Sequence, residues 1–236
     1  MSRPAILDVA GLSSGYGEAV VVRDVSFEVG AGEIFALLGK NGMGKSTLLK
    51  TIMGFLPART GMVQLSGDRL TGLPPHRIAR RHVAYTPQEQ ALFQDLSVRE
   101  NLELGLQDPK GFDEGLAAIG RHFPVLTQRL KQKAGTLSGG EQKMLLIARG
   151  LMSRPRLLLV DEITEGLQPS VIARLADVLR DERERSGTAI LLVEQNVAFA
   201  RAVADRYAVL KLGEIVDRGI PGEAGSAERI QEHLSV

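Results

Sequence analysis

Hydrophobic positions along this chain form short continuous runs that are separated by stretches with helical spacing. Short runs rich in aliphatic and β-branched residues predict strands, and wholly apolar runs are typical of central parallel strands covered on both faces. Runs of the first kind occur at 5–9, 25–29, 33–38 and 83–86, and runs of the second kind at 157–160 and 190–193.

The stretches between these runs predict helices. Residues 45–56 place five large apolar side chains on one helical face, and the pattern from 98 to about 155 is mostly helical. A strongly charged helix is predicted over 170–185, between the two wholly apolar runs, and a helical crossover is what joins parallel strands. The pattern therefore predicts an α/β chain with a helical insertion between about residues 88 and 155.

Composition narrows the possible classes. The 236 residues carry 29 Lys+Arg against 28 Asp+Glu, a net charge of +1, which argues against a dedicated nucleic-acid-binding protein. The absence of cysteine excludes disulfide frameworks, Cys-ligated metals and a thiol nucleophile. Apolar runs are far shorter than the roughly 20 residues of a spanning helix, and no signal peptide is apparent. We therefore expect a cytoplasmic protein, with any membrane attachment through a partner.

The first motif with chemical meaning is a glycine-rich loop. Residues 39–46 read GKNGMGKS, which matches G-x-x-x-x-G-K-[ST] between a predicted strand and a predicted helix. In such a loop backbone N–H groups point at phosphate oxygens, and the following helix adds its positive dipole end. Lys45 would reach the β- and γ-phosphates, and the Ser46 hydroxyl would ligate Mg²⁺. The alternative is an ordinary Gly-rich turn before a helix.

Two acidic residues follow the apolar run at 157–160. At the tip of a buried strand, Asp161 would lie near the Mg²⁺ shell, and Glu162 would act as general base or position the attacking water. The alternative is a core strand that ends in a solvated acidic turn. With the glycine-rich loop upstream, the pair indicates hydrolysis of a Mg-nucleotide.

A third motif begins a predicted helix. Residues 137–142 read LSGGEQ, and a serine followed by two glycines at a helix start offers a hydroxyl and open N–H groups to an anion. The alternative is a capped helix without a ligand. As a local signal the motif is modest, but as a complete hexapeptide it is highly specific.

Together the three motifs resemble those of the ATP-binding cassette (ABC) ATPases, whose signature is LSGGQ-like. The resemblance covers essentially the whole chain and implies an α/β fold, namely a P-loop NTPase (RecA-like) core with an antiparallel β subdomain and an inserted helical subdomain. It implies a single domain over residues 1–236, with the helical subdomain at about 88–155 and a C-terminal extension at about 213–236. Tyr16 matches the aromatic residue that stacks on adenine, and Gln88 matches the glutamine that touches Mg²⁺ and senses the transmembrane partner.

The resemblance implies ATP and Mg²⁺ as cofactors and gives a role to each motif residue. Ser46, Gln88 and Asp161 would ligate the metal, and Glu162 and Gln195 would be catalytic. The signature residues that would contact ATP held by another cassette are Ser138, Gly139, Gly140 and Glu141. The residues that would bind ATP directly are Tyr16, Gly39, Lys40, Asn41, Gly42, Met43, Gly44, Lys45, Ser46, Thr47 and Gln88.

The resemblance also implies partners. In this family the signature of one cassette closes on the γ-phosphate held by another, so a chain with one of each needs a second ABC ATPase subunit, either a related chain or a copy of itself. Closure on ATP and reopening after hydrolysis would drive two integral membrane permease subunits. A periplasmic binding protein would take part indirectly, nucleic acid would not, and the cassette would sit peripherally on the inner face of the cell membrane.

Three positions depart from the general pattern. Gln195 stands where most cassettes have a histidine, and a glutamine can donate a neutral hydrogen bond but cannot carry a proton or a positive charge. Gln168 stands where aspartate is usual, and Ile163 stands where proline is common. These changes leave open the alternative of a nucleotide-binding, low-activity half of an asymmetric cassette pair.

The sequence around these departures resembles that of one group within the family. VEQN at 193–196 and EGLQP at 165–169 resemble the LivF-type subunits of branched-chain amino-acid importers, and the urea and short-amide importers share QPS at 168–170. We therefore expect an ATP-hydrolysing importer subunit for branched-chain amino acids or related amides. A soluble cassette of DNA repair or translation is the alternative from another class, but such proteins usually carry tandem cassettes or long coiled-coil insertions, and this chain has neither.

Overall fold

The computed structural model describes residues 4–88 and 92–235, and it builds them around two β-sheets. Residues 1–3, 89–91 and 236, which belong to the predicted domain, lie outside the described residues. The strands are β1 (Ala5–Tyr16), β2 (Ala19–Gly30), β3 (Ile34–Leu38), β4 (Ala58–Leu65), β5 (Asp68–Arg69), β6 (Val83–Thr86), β7 (Leu157–Asp161), β8 (Ala189–Glu194), β9 (Arg206–Lys211) and β10 (Glu214–Gly219).

Helices connect the strands and cover the larger sheet. A short π-helical turn at Glu182–Ser186 continues α7, and within the described ranges no helix has both the length and the apolar character needed to cross a bilayer. The helices are α1 (Lys45–Ile52), α2 (Pro75–Ala79), α3 (Val98–Glu103), α4 (Phe112–Gly120), α5 (Pro124–Gln128), α6 (Gly139–Leu151), α7 (Pro169–Asp181), α8 (Val197–Val203) and α9 (Ser226–Ser235).

The two sheets differ in direction. The smaller sheet is antiparallel with the order β2-β1-β4-β5, and the larger has the order β10-β9-β3-β8-β7-β6. From β9 to β6 all neighbours in the larger sheet are parallel, and β10 pairs antiparallel with β9. The carboxyl ends of β3, β7 and β8 therefore meet at one edge of the larger sheet, where the predicted motif residues follow them.

Every residue of β3, β7 and β8 is buried, which confirms the strands predicted from apolar runs. Alternate residues face opposite sides. Phe35, Leu157 and Leu191 pack into a core shared with the antiparallel sheet and α1. Ile34 and Leu158, on the other face, pack against the helices between α3 and α7. Helices α3 to α6 fall inside the predicted insertion at about 88–155, whose boundaries stay a prediction.

Several predicted elements have different bounds in the structure. The helix predicted over 45–56 ends at Ile52, because Gly54 adopts a φ of +75° in a turn where a Cβ would lie 2.3 Å from the Leu73 carbonyl oxygen. The helix predicted over 170–185 is α-helical only to Asp181. Strands β4, β9 and β10 have no counterpart in the prediction, and β1 and β2 extend well beyond the apolar runs at 5–9 and 25–29.

Candidate functional site

The glycine-rich loop turns from the end of β3 into the start of α1. Gly44 precedes the first helical residue with a φ of +98°, a conformation that favours glycine. At Gly39 an added Cβ would lie 2.7 Å from the Leu210 carbonyl oxygen, so only glycine fits beside β9. Gly42 also has a positive φ, and the carbonyl of Met43 accepts a hydrogen bond from the N–H of Gly213. The loop is thus fixed by β9 and the turn that follows it.

Lys45 begins α1 and points back into the loop. Its Nζ lies 2.7 Å from Oε1 of Glu162 and donates to the carbonyl of Lys40, also at 2.7 Å. Both side chains of the ion pair are less than a tenth exposed. A buried charge is costly unless it is paired, so each of these two groups depends on the other or on a substitute of the same charge. The structure therefore brings together the loop lysine and the acidic residue after β7.

Ser46 and Asp161 also meet, as the sequence predicts. The Ser46 hydroxyl donates to Oδ1 of Asp161 at 3.1 Å, and the second carboxylate oxygen accepts from the Tyr85 hydroxyl at 3.2 Å. Burial raises the pKa of Asp161, and the hydrogen bonds from Ser46 and Tyr85 oppose that rise. Sequence reasoning missed Tyr85 as a site residue, because only the parallel pairing of β6 with β7 brings it to Asp161.

Glu162 is held by amides as well as by Lys45. Nε2 of Gln88 donates to Glu162 at 2.9 Å and to Glu165 at 2.7 Å. The Asn41 amide, oriented so that its nitrogen faces these acceptors, lies 3.1 and 3.2 Å from the Glu162 oxygens and 3.0 Å from Oε1 of Gln195. Gln88, which the sequence predicts as a metal ligand, thus contacts two glutamates. The other two predicted ligands, Ser46 and Asp161, contact each other.

A cavity of about 300 Å³ opens beside Glu162 and is lined by both carboxyl and amide side chains. Gln195 lines it, directly after β8, together with Glu165 and Glu194. Glu194 is buried and accepts hydrogen bonds from the backbone N–H and hydroxyl of Thr164, at 3.1 and 2.9 Å, and burial raises its pKa. No sequence motif indicates a role for Glu194 or Thr164, because their contact depends on the neighbouring ends of β7 and β8.

The remaining predicted site residues lie on β1, α1 and α6. Tyr16 ends β1 with 48% of its surface exposed, and Thr47 is buried in α1. The signature forms the start of α6, where Ser138 and Glu141 make a reciprocal capping box. Glu141 also pairs with Arg129 at 3.0 Å, and its hydrogen bonds to Ser138 lower its pKa. Gly139 and Gly140 form the first turn of that helix.

A larger apolar groove of about 600 Å³ lies on another part of the surface. Phe55, Phe93 and Leu104 line it, and each has more than half of its side chain exposed. The ring of Tyr85 packs against Phe55, with 6.2 Å between the ring centroids, and forms part of the groove wall. Such an exposed apolar patch is typical of a site for protein or membrane contact.

A phosphate loop at the carboxyl end of parallel strand β3, with an acidic pair at the same end of β7, which β8 separates from β3, defines a P-loop nucleotide hydrolase. A family model for the ABC transporter matches residues 22–165, more than half of the chain, and the chain belongs to this family of ATP-binding cassettes. Like other members of this family, the chain is an ATPase whose activity is coupled to transport. The predicted family, fold class and ATPase activity are therefore confirmed.

Named relatives and a solved structure agree with this assignment. The high-affinity branched-chain amino acid transport ATP-binding protein BraG of Pseudomonas aeruginosa is 43% identical over 207 residues, which cover 87% of this chain and 88% of BraG. The probable branched-chain amino acid transport ATP-binding protein LivF of Archaeoglobus fulgidus is 36% identical over 229 residues, 96% of this chain and 97% of that protein. The crystal structure of a nucleotide-free ATP-binding cassette from an ABC transporter aligns with a TM-score of 0.85 at 26% identity, covering 98% of this chain and 96% of that one.

Proposed function

We propose that this chain hydrolyses Mg-ATP to drive an importer of branched-chain amino acids or related amides. The observation that carries the catalytic part is the meeting of Lys45, Asp161 and Glu162 at one edge of the parallel sheet. The printed names of BraG and LivF support the substrate class. The chain would act on the inner face of the cell membrane, in a complex with permease subunits.

The phosphate loop would hold the nucleotide. Its backbone N–H groups and the start of α1 favour an anion, and Lys45 is already paired with the Glu162 carboxylate. On binding ATP, Lys45 would exchange that carboxylate for β- and γ-phosphate oxygens. Tyr16, half exposed at the end of β1, would stack on the adenine ring.

Ser46 and Asp161 fit a magnesium ion. Hydroxyl and carboxylate oxygens are ligands that Mg²⁺ prefers, and the ion is usually held by one or two carboxylates together with substrate phosphates. When bound, Mg²⁺ neutralises charge on the phosphates. Gln88 would have to leave Glu162 and Glu165 to become a further ligand.

Glu162 would serve as the base. Its carboxylate would take a proton from water as the water oxygen attacks the γ-phosphorus and the bond to ADP breaks. The Asn41 amide contacts this carboxylate and would keep it turned into the site after Gln88 moves to the metal. Gln195 would donate a neutral hydrogen bond to the γ-phosphate, because an amide has a donor but no titratable proton.

A second cassette would complete the site. The Ser138 hydroxyl, at the start of α6, bonds to Glu141 of its own helix. We expect this hydroxyl and the open N–H groups of α6 to turn toward the γ-phosphate held by a partner cassette, which is either a related chain or a copy of this one. The permease would dock in the apolar groove beside Phe55, Phe93 and Leu104, whose exposed side chains need an apolar partner.

The variant Glu162→Gln tests the catalytic role. We expect steady-state ATP hydrolysis to fall by roughly 10²–10⁴-fold, because the amide cannot accept the proton. Binding of a fluorescent ATP analogue should tighten, since Lys45 loses its competing carboxylate. Glu165→Gln is the matched control: this residue also accepts from Gln88, and we expect it to hydrolyse ATP near the wild-type rate.

Rapid hydrolysis by the wild type and an equal rate in Glu162→Gln would remove Glu162 from catalysis. Slow hydrolysis by both, with normal ATP binding, would favour the low-activity half of an asymmetric pair, the alternative that Gln168 and Gln195 leave open. The substrate class is tested by uptake of labelled leucine and labelled urea in a strain that lacks this chain. We expect leucine uptake to fall and to return with the wild-type chain but not with Glu162→Gln.

A further inference from the structure

One tyrosine lies between the candidate metal site and the apolar groove. Tyr85 is opposite Leu159 in the parallel pairing of β6 with β7, and Asp161 lies two residues further along β7, on the same face of the sheet. The Tyr85 hydroxyl reaches Oδ2 of Asp161 at 3.2 Å. Its ring forms part of the groove wall, next to Phe55. No motif of the sequence analysis assigns a role to this side chain.

The hydrogen bonds of Asp161 divide its two oxygens between two partners. Oδ1 accepts from the Ser46 hydroxyl, and Oδ2 accepts from the Tyr85 hydroxyl on the opposite side. Asp161 is 2% exposed, so the loss of either donor would leave a buried carboxylate oxygen without that hydrogen bond. With Oδ2 held by Tyr85, the plane of the carboxylate is fixed and Oδ1 faces the first turn of α1.

We propose that Tyr85 is a positioning residue for magnesium, which holds Asp161 so that Oδ1 faces the metal of bound Mg-ATP. The inference rests on the proposed function, because it takes Ser46 and Asp161 as the residues that hold the ion. Partners that orient a metal ligand commonly change metal affinity by 10- to 100-fold when they are removed. Tyr85 would do so through the carboxylate, without touching the metal or ATP.

The variant Tyr85→Phe removes only the hydroxyl and keeps the ring that packs on Phe55. We measure binding of a fluorescent, non-hydrolysable ATP analogue in EDTA and across a Mg²⁺ titration. In EDTA we expect the affinity of Tyr85→Phe to match the wild type within about twofold. The Mg²⁺ concentration that gives half of the metal-dependent change in affinity should be about 10-fold higher in Tyr85→Phe than in the wild type. Electron paramagnetic resonance of Mn²⁺ bound with the same analogue gives a second readout that does not depend on activity.

Tyr207→Phe is the matched control. Tyr207 is also a buried tyrosine, and its hydroxyl donates to Asp217 at 2.9 Å, on β9 and β10 rather than β6 and β7. We expect this variant to show the wild-type Mg²⁺ response. In the background Asp161→Asn, Tyr85→Phe should add little, since the carboxylate it orients is gone.

An unchanged Mg²⁺ response in Tyr85→Phe would overturn the inference and leave the proposed function standing. An equal loss of affinity with and without Mg²⁺ would also overturn it, because the hydroxyl would then stabilise the fold rather than orient Asp161. A wild-type chain that fails to bind the analogue under either condition would contradict the proposed function itself, and the inference with it.

Discussion

The backbone at Glu162 directs a charged side chain into the candidate site. This residue has a φ of +45°, and its N–H donates to the Val193 carbonyl of β8 at 2.9 Å. For any residue other than glycine this backbone conformation costs on the order of 1–3 kcal/mol, which the surrounding structure must offset. The paired strands β7 and β8 hold the turn, and the carboxylate can thus reach Lys45.

At Gly39 the nearness of β9 makes a prediction about stability. Gly39→Ala should lower the free energy of unfolding by about 2 kcal/mol, because the added Cβ would lie 2.7 Å from the Leu210 carbonyl oxygen. Urea unfolding at neutral pH measures the change. Gly222→Ala is the control, since its Cβ meets nothing within 4 Å and should leave stability close to wild type. Equal stability of the two variants would show that the loop moves away from β9 at little cost.

Sequence motifs predict which residue types lie in the site, but their pairings need the fold. Lys45, Ser46, Asp161 and Glu162 follow from two short motifs with a known chemical purpose. The contact of Lys45 with Glu162 joins residues more than a hundred positions apart, and no local pattern encodes it. Tyr85 was missed for the same reason, since its role depends on which strand lies beside β6.

At the scale of elements, the ends of β7 and β8 are tied together by a buried carboxylate. Glu194, the last residue of β8, accepts two hydrogen bonds from Thr164, which follows β7, and one from the N–H of Asn196 at 3.3 Å. Burial raises the pKa of Glu194 above its ordinary value of 4.5. These bonds fix the segment that carries Gln195 against the segment after Glu162.

The raised pKa predicts a pH-dependent difference in stability. A carboxyl whose pKa is higher in the folded state contributes stability below its unfolded pKa of 4.5, and the contribution is lost as pH rises through the folded pKa. Glu194→Gln does not titrate, so its unfolding free energy relative to wild type should increase between pH 4 and neutral pH. Urea unfolding across this range measures the difference. Glu232→Gln, an exposed residue of α9, is the control, and parallel curves for all three proteins would contradict the prediction.

Elements that are buried on both faces could be predicted from sequence, and half-exposed ones could not. Strands β3, β7 and β8 consist of buried, mostly apolar residues, so their runs stand out. In contrast, β10 alternates exposed and half-buried residues, and the first half of β4 is mostly exposed, so neither shows a strong apolar pattern. The predicted end of α1 was wrong because the apolar residues keep helical spacing as far as Leu56, beyond the turn at Gly54 that ends the helix.

At the scale of the whole molecule, the two halves of the proposed site lie on different parts of one chain. The phosphate loop joins β3 to α1, whereas the signature lies at the start of α6, inside the predicted helical insertion. Under the proposed function, the signature of a second cassette would close on this loop. The proposed function would thus separate binding from hydrolysis, because one chain would hold ATP and a second would complete the site.

The separation predicts the behaviour of Gly139→Ala. An added Cβ at this position meets nothing within 4 Å, so we expect the fold and ATP binding by the phosphate loop to remain as in wild type. Hydrolysis should fall at least about 10-fold, because the methyl group keeps the partner's phosphate from the helix N–H groups. Binding of a fluorescent ATP analogue and steady-state hydrolysis measure the two effects. Gly120→Ala in α4 is the control, and equal hydrolysis by both variants would argue against a signature that acts in trans.

The buried contact of Lys45 with Glu162 also affects inhibitor design. A compound aimed at the phosphate loop must displace a carboxylate of the same chain, which competes at a high effective concentration because it is tethered there. Small anionic fragments such as sulfate should therefore bind weakly in a screen, even though the loop is built for anions. Compounds that extend into the cavity of about 300 Å³ beside Gln195 have neutral amides to contact as well, and they offer a better starting point.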